Sequence, residues 1–163
     1  MKLNAKSLAV MAIFAALYAV GVIVLAPISF GIAQVRVADA MLPLSMIFGF
    51  PSAIGLSLGC AVSNVYGGIG VIDIVGGAAA NLIACVLAWY IGRNGGRIRR
   101  FAATIVQTVV IGLIVGLYLS PLLNVPVFLS IFGVLVGEIV AINIIGYPVQ
   151  EAIRRSKIFS KFG

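Results

Sequence analysis

The sequence has no histidine, only two cysteines and only four acidic residues. Without histidine, the usual zinc sites and every His-based catalytic triad are excluded. Cys60 and Cys85 both lie in apolar stretches, where cysteine behaves as a small buried hydrophobe rather than half of a disulfide or metal pair. Charge of either sign is scarce, at 9% of residues, against about 25% in a soluble domain. Lysine occurs only at positions 2, 6, 157 and 161, so no phosphate-binding loop ending in Gly-Lys-Ser/Thr is available. The glycine cluster Gly67, Gly68 and Gly70 lacks such a lysine and is no nucleotide cradle.

What is present is apolar surface, 63% of the 163 residues. A surface so poor in charge belongs in lipid. The apolar runs fall at 8–26, 38–49, 51–65, 72–91, 102–119 and 127–150. The first is longer than a signal-peptide core and is closed by no clear A-x-A site, so it reads as a membrane helix. Six spans leave no room for a soluble catalytic or nucleotide-binding domain.

The piece 38–65 is either one long helix or two short ones, and charge decides. Read as two spans meeting at Gly49-Phe50-Pro51, it places ten of the eleven basic residues on the cytoplasmic side and only Arg36 outside, as the positive-inside rule requires. Pro51 supports the break, because proline suits a helix start and disfavours helix for the residue before it. The expected fold is therefore an all-α membrane protein, a single domain over 1–163 with six transmembrane helices and both termini in the cytoplasm. Small residues recur at helical spacing: Ala5, Ala9, Ala12, Ala16 and Ala19 on the first helix, Gly76, Ala80, Ala84 and Ala88 on the fourth. Gly55/Gly59, Gly112/Gly116 and Gly133/Gly137 form GxxxG pairs, which let helix backbones approach closely. The first stripe, on a terminal helix, equally suits contact with a partner protein.

Charges inside a bilayer cost about 2.5–3.5 kcal/mol each on insertion scales, so each needs a reason. Glu151, beside Arg154 and Arg155, reads as a solvated charge at a helix end. Glu138 lies about 16 Å into the last helix at 1.5 Å per residue, with no basic residue expected at that depth. It is either a ligand contact or a structural hydrogen-bonding group. Asp39 stands where the outer loop enters the second span; it suits either a helix N-terminus, paired with Arg36, or a binding role. Asp73, Gly77 and Asn81 follow one another at intervals of four, forming a polar strip that Asn64 and Tyr66 precede. Asn143, five residues from Glu138, is about 140° away around a regular helix and cannot share its pocket. The candidates Gln34, Arg36, Asp39, Asn64, Tyr66, Asp73, Asn81 and Glu138 gather towards the outer half. A pocket of acids, amides and one arginine suits a small polar molecule with several donors and a positive charge. An intramembrane enzyme would need a nucleophile and a base, and no histidine or lysine lies at depth.

The run Val35-Arg36-Val37-Ala38-Asp39-Ala40-Met41-Leu42-Pro43, then Gly59-Cys60-Ala61-Val62-Ser63-Asn64, resembles the QueT family. So do Gly67-Gly68-Ile69-Gly70-Val71-Ile72-Asp73-Ile74-Val75-Gly76 and the last helix from Gly137-Glu138-Ile139 to Gly146-Tyr147-Pro148. The family more usually has glutamate where Asp39 stands. The resemblance implies the substrate-binding (S) component of an energy-coupling factor transporter, a cell-membrane protein and not an enzyme. Such a component captures cargo in an outward-facing pocket and re-orients to release it inside. It works with a membrane coupling subunit and two ATP-binding-cassette ATPases, and needs no cofactor or metal of its own. The implied cargo is a queuosine precursor, a deazapurine base. Another vitamin or small polar molecule, or a purely structural membrane subunit, are the alternatives. The same resemblance makes Ala12 and Ala16 candidates for the coupling-subunit interface.

Overall fold

The computed structural model describes residues 4–30 and 35–156, and among them every regular element is helical. Seven helices follow in order: α1 Ala5–Val24, the single turn α2 Ala26–Ser29, α3 Val37–Phe48, α4 Phe50–Gly67, α5 Val71–Gly92, α6 Arg97–Leu123 and α7 Val127–Arg155. Links of a few residues join α4 to α5, α5 to α6 and α6 to α7, so these helices fold back on one another as antiparallel neighbours. Four helices, α1, α5, α6 and α7, are long and apolar enough to cross a membrane. The other two long segments differ for physical reasons. α4 has 18 residues but carries Ser52, Ser57, Ser63 and Asn64. α3 is apolar but has only 12 residues. Eight of these are wound as a 3-10 helix, so it spans roughly 22 Å, against a hydrocarbon core of about 30 Å.

The break between α3 and α4 is sharp. Gly49 takes φ 71° and ψ −155°, a conformation open to glycine and costly for a residue with a Cβ. Pro51 opens α4 in its first turn, where its missing N–H would have no partner in any case.

Glycines set the helix spacing at two seams. A Cβ on Gly59 would stand 2.6 Å from the Ala15 carbonyl oxygen, so α4 lies backbone to backbone on α1. At the other seam, a Cβ on Gly116 would stand 2.6 Å from Ile131 Cα of α7. Ala80, Ala84 and Ala88 of α5 are fully buried. On α1, by contrast, Ala5, Ala9, Ala12 and Ala16 are exposed and only Ala19 is covered.

Two stretches depart from α-helical winding, and they pack against each other. Residues Val37–Leu44 are overwound. In an α-helix the N–H of residue 43 would bond to the carbonyl of Asp39, and Pro43 has no N–H to give. Residues Ile139–Gly146 of α7 are underwound as a π-helix. Gly146 lies so close to α3 that an added Cβ would be 2.7 Å from the Ala40 carbonyl oxygen. The overwound stretch carries Asp39 and the underwound one begins directly after Glu138, so both unusual windings adjoin the acidic residues.

Candidate ligand-binding site

The fold brings Arg36, Asp39, Asn64, Asp73, Asn81 and Glu138 into one buried region, although they come from four separate segments. Arg36 precedes α3 and is buried. Its guanidinium lies 3.8 Å from Asp73 Oδ1, donates to Cys60 Sγ at 3.6 Å, and sits over the Phe30 ring. Asp73, in the first turn of α5, accepts a hydrogen bond from Tyr118 Oη at 3.0 Å, and its backbone carbonyl accepts from Asn64 Nδ2 at 2.8 Å. Asp39 accepts from Tyr18 Oη at 2.6 Å, and its carboxyl also faces the side chains of Glu138 and Asn81. Gly77 makes this convergence possible, because a Cβ there would press on Asn64 Nδ2 at 2.6 Å and approach Tyr118 Oη at 3.3 Å.

Glu138 is buried within the bundle, 2% exposed. The expectation that no basic residue reaches it does not hold: Arg36 lies within electrostatic range of Glu138, as does Asp39. Arg36 itself is turned into the bundle, 4% exposed, instead of remaining at the surface. The π turn also removes the premise that separated Glu138 from Asn143, since i→i+5 bonding brings residue i+5 about one turn on from residue i. Asn143 nonetheless stays out of the cluster. Its amide bonds Thr104 and Thr108 of α6, while Glu138 is directed at α3.

Hydrogen bonding in this region is incomplete. Arg36 Nε and Nη2, Asn64 Oδ1, Asp73 Oδ2, Asn81 Nδ2 and Glu138 Oε2 are buried and have no hydrogen-bond partner among the described residues. Each such atom costs about 1–3 kcal/mol when left unpaired. Three acids share a single arginine, so the region is short of positive charge and of donors. It offers acceptors at Glu138, Asp73 and Asn64, and donors at Asn81 and Arg36. That set matches a compact ligand bearing a cation, several N–H donors and at least one acceptor.

Of the other expected residues, Tyr66 is 62% exposed and stands apart from the buried cluster. Gln34 lies outside the described residues. Ala12 and Ala16 sit on the exposed face of α1, outside the buried cluster. Glu151 is corrected: it is not a solvated helix-end charge but a buried partner of Arg100, which reaches both of its oxygens, one of them at 3.0 Å. α6 starts one loop away from the end of α5, and that places Arg100 opposite Glu151 across the seam with α7.

Tyr18, Tyr118 and Cys60 were missed from sequence. Tyr18 is the clearest omission, because a tyrosine buried in a membrane helix needs a partner for its hydroxyl, and its position well inside the first apolar run was visible.

Several long apolar helices closed around an incompletely satisfied polar cluster define a multi-pass membrane protein, with a ligand-sized set of polar groups inside it. The QueT transporter family model matches residues 8–155, most of the chain. The chain belongs to that family, one of transporters and not of enzymes. No curated protein and no solved structure matches it significantly.

Proposed function

We propose that this protein is the S component of an energy-coupling factor importer, and that it captures a queuosine precursor, a deazapurine base, outside the cell. The observation that carries the reading is the buried group of Asp39, Asp73 and Glu138 around one arginine, with unpaired acceptors on Asp73 and Glu138. An aminomethyl-deazaguanine brings an ammonium for the carboxylates and a guanine-like edge of N–H donors for the remaining acceptors. Arg36 and Asn81 are left to donate to its carbonyl.

In this reading α1, α3, α4, α5, α6 and α7 make six crossings, with both termini in the cytoplasm. α3 and α4 tolerate their shortness and polarity because neighbouring helices shield them. The exposed Ala12 and Ala16 form a flat strip on which a membrane coupling subunit, itself driven by two ATPases, can lie closely.

The test is thermal melting of the detergent-purified chain against deazapurines, purines and vitamins. A ligand at 100 times its Kd adds about 2.7 kcal/mol to the folded state. A rise in melting temperature with 7-aminomethyl-7-deazaguanine, lost in Asp73→Asn, supports both class and cargo. A rise only with another vitamin keeps the binding subunit and removes the cargo. No rise with any compound removes the binding role.

A further inference from the structure

The Arg-rich end of the bundle holds a second polar feature, separate from the ligand cluster. Between the start of α6 and the last turns of α7 lies a cleft of about 430 Å³, lined by Arg97, Tyr147, Pro148, Glu151, Ala152 and Arg155. Arg97 and Arg155 are exposed, and neither guanidinium makes an ion pair or side-chain hydrogen bond among the described residues. Glu151, the one acid in the lining, has both oxygens engaged by Arg100. Arg100 is held in turn by the Gly95 carbonyl. Glu151 feels the charges of Arg97 and Arg155 as well, but its oxygens are taken by Arg100, so the cleft carries three guanidinium groups against one carboxylate and keeps an excess of positive charge.

The wall is ordered. Tyr147 Oη donates to the Arg97 carbonyl at 3.3 Å, and the Tyr147 ring meets Phe101 edge-on at 5.3 Å. These contacts tie α6 to α7 beside the cleft. Each arginine also has apolar surface deeper along its own helix. Phe101 follows Arg97 by one turn, and Ile144 and Pro148 precede Arg155 on the same ridge, since positions three and four apart stack on a helix. Phe101 is 45% and Ile144 62% exposed. A pair of arginines at the end of a membrane helix pair, above exposed aromatic and aliphatic side chains, is the arrangement an amphiphile with an anionic head requires.

We propose that this cleft binds the headgroup of an acidic phospholipid. Arg97 and Arg155 grip the phosphodiester, the Tyr147–Pro148 wall lies beside the glycerol, and the acyl chains descend past Phe101 and Ile144. Arginine suits this role because its planar fork can pair with two phosphate oxygens at once, and basic pockets between membrane helices recognise such heads. A free phosphate would satisfy the arginines equally but leave the apolar surface uncovered, so the lipid is the occupant that uses both features.

The test is melting of the detergent-purified full chain titrated with phosphatidylglycerol, phosphatidylcholine or inorganic phosphate. The expected result is a rise of several degrees with phosphatidylglycerol and none with the other two. Arg97→Gln and Arg155→Gln each weaken the apparent affinity about tenfold, and the pair together abolish the rise. Arg99→Gln removes the same charge from an exposed position outside the cleft, and leaves the titration unchanged. An equal rise with inorganic phosphate overturns the lipid assignment. Equal losses in Arg99→Gln and Arg97→Gln overturn the site, since diffuse charge would then suffice. Both variants change exposed side chains, so folding is not at issue, and neither outcome depends on the cargo of the outer cluster.

Discussion

Among the described residues, two buried ionic groups make opposite use of the same chemistry. At the Arg-rich end, Arg100 and Glu151 meet one to one, both carboxylate oxygens are bonded, and the third nitrogen of the guanidinium reaches the Gly95 carbonyl. In the candidate ligand cluster, Arg36 faces three acids, its ion pair with Asp73 is long at 3.8 Å, and unpaired atoms remain on five side chains. A satisfied pair needs nothing further and joins α6 to α7. An unsatisfied group costs about 1–3 kcal/mol for each unpaired atom, a cost that a ligand with matching groups would offset. The contrast separates a structural ion pair from a candidate binding site without reference to how deeply either is buried.

Breaking that contrast is the most direct test of it, and the largest effect is expected at the satisfied pair. Glu151→Gln leaves Arg100 buried without its counter-charge, at a cost of about 3 kcal/mol, seen as a lower melting temperature with ligand affinity intact. Replacing both partners, as Arg100→Met with Glu151→Leu, recovers most of that stability. If the double variant melts as low as the single one, the loss comes from packing and not from an orphaned charge.

Glu138→Gln is expected to act in the reverse sense. Binding of 7-aminomethyl-7-deazaguanine falls about 100-fold, equivalent to about 2.7 kcal/mol, while the unliganded protein melts at the same temperature or higher. A large loss of unliganded stability would make Glu138 structural, like Glu151. Tyr118→Phe removes the hydroxyl that steadies Asp73 and should weaken binding about tenfold, near 1.4 kcal/mol. Calorimetric titration of the purified variants would show it. The smallest effect belongs to Tyr66→Ala, with less than a twofold change in affinity, because that side chain points outward. A larger loss there would extend the site to the surface turn before α5.

How the acids would behave was only partly readable from the chain. Glu138 stood out because a carboxylate in the middle of an apolar run has no cheap explanation. Asp73 and Asn81 stood out because helical spacing puts them on one face. Glu151 misled, since its nearest basic residues in sequence are Arg154 and Arg155, whereas its bonded partner is 51 positions earlier. Tyr18 and Tyr118 were hidden for the same reason: their hydroxyls bond acids 21 and 45 residues away.

Composition and the spacing of apolar runs by themselves determined that this is a helical membrane protein and where the chain breaks at Gly49, and they singled out its few acids as the residues that need a reason. These follow from local rules, the length a bilayer demands and the backbone freedom of glycine. Only the tertiary structure decided which acid meets which partner. It folds Arg36 inward and sets the overwound start of α3 against the underwound middle of α7. Those windings arise where two helices press together, through Gly146 against Ala40 and Pro43 without an N–H to offer. Pairing across such a contact depends on the positions of both helices, and neither helix alone contains that information.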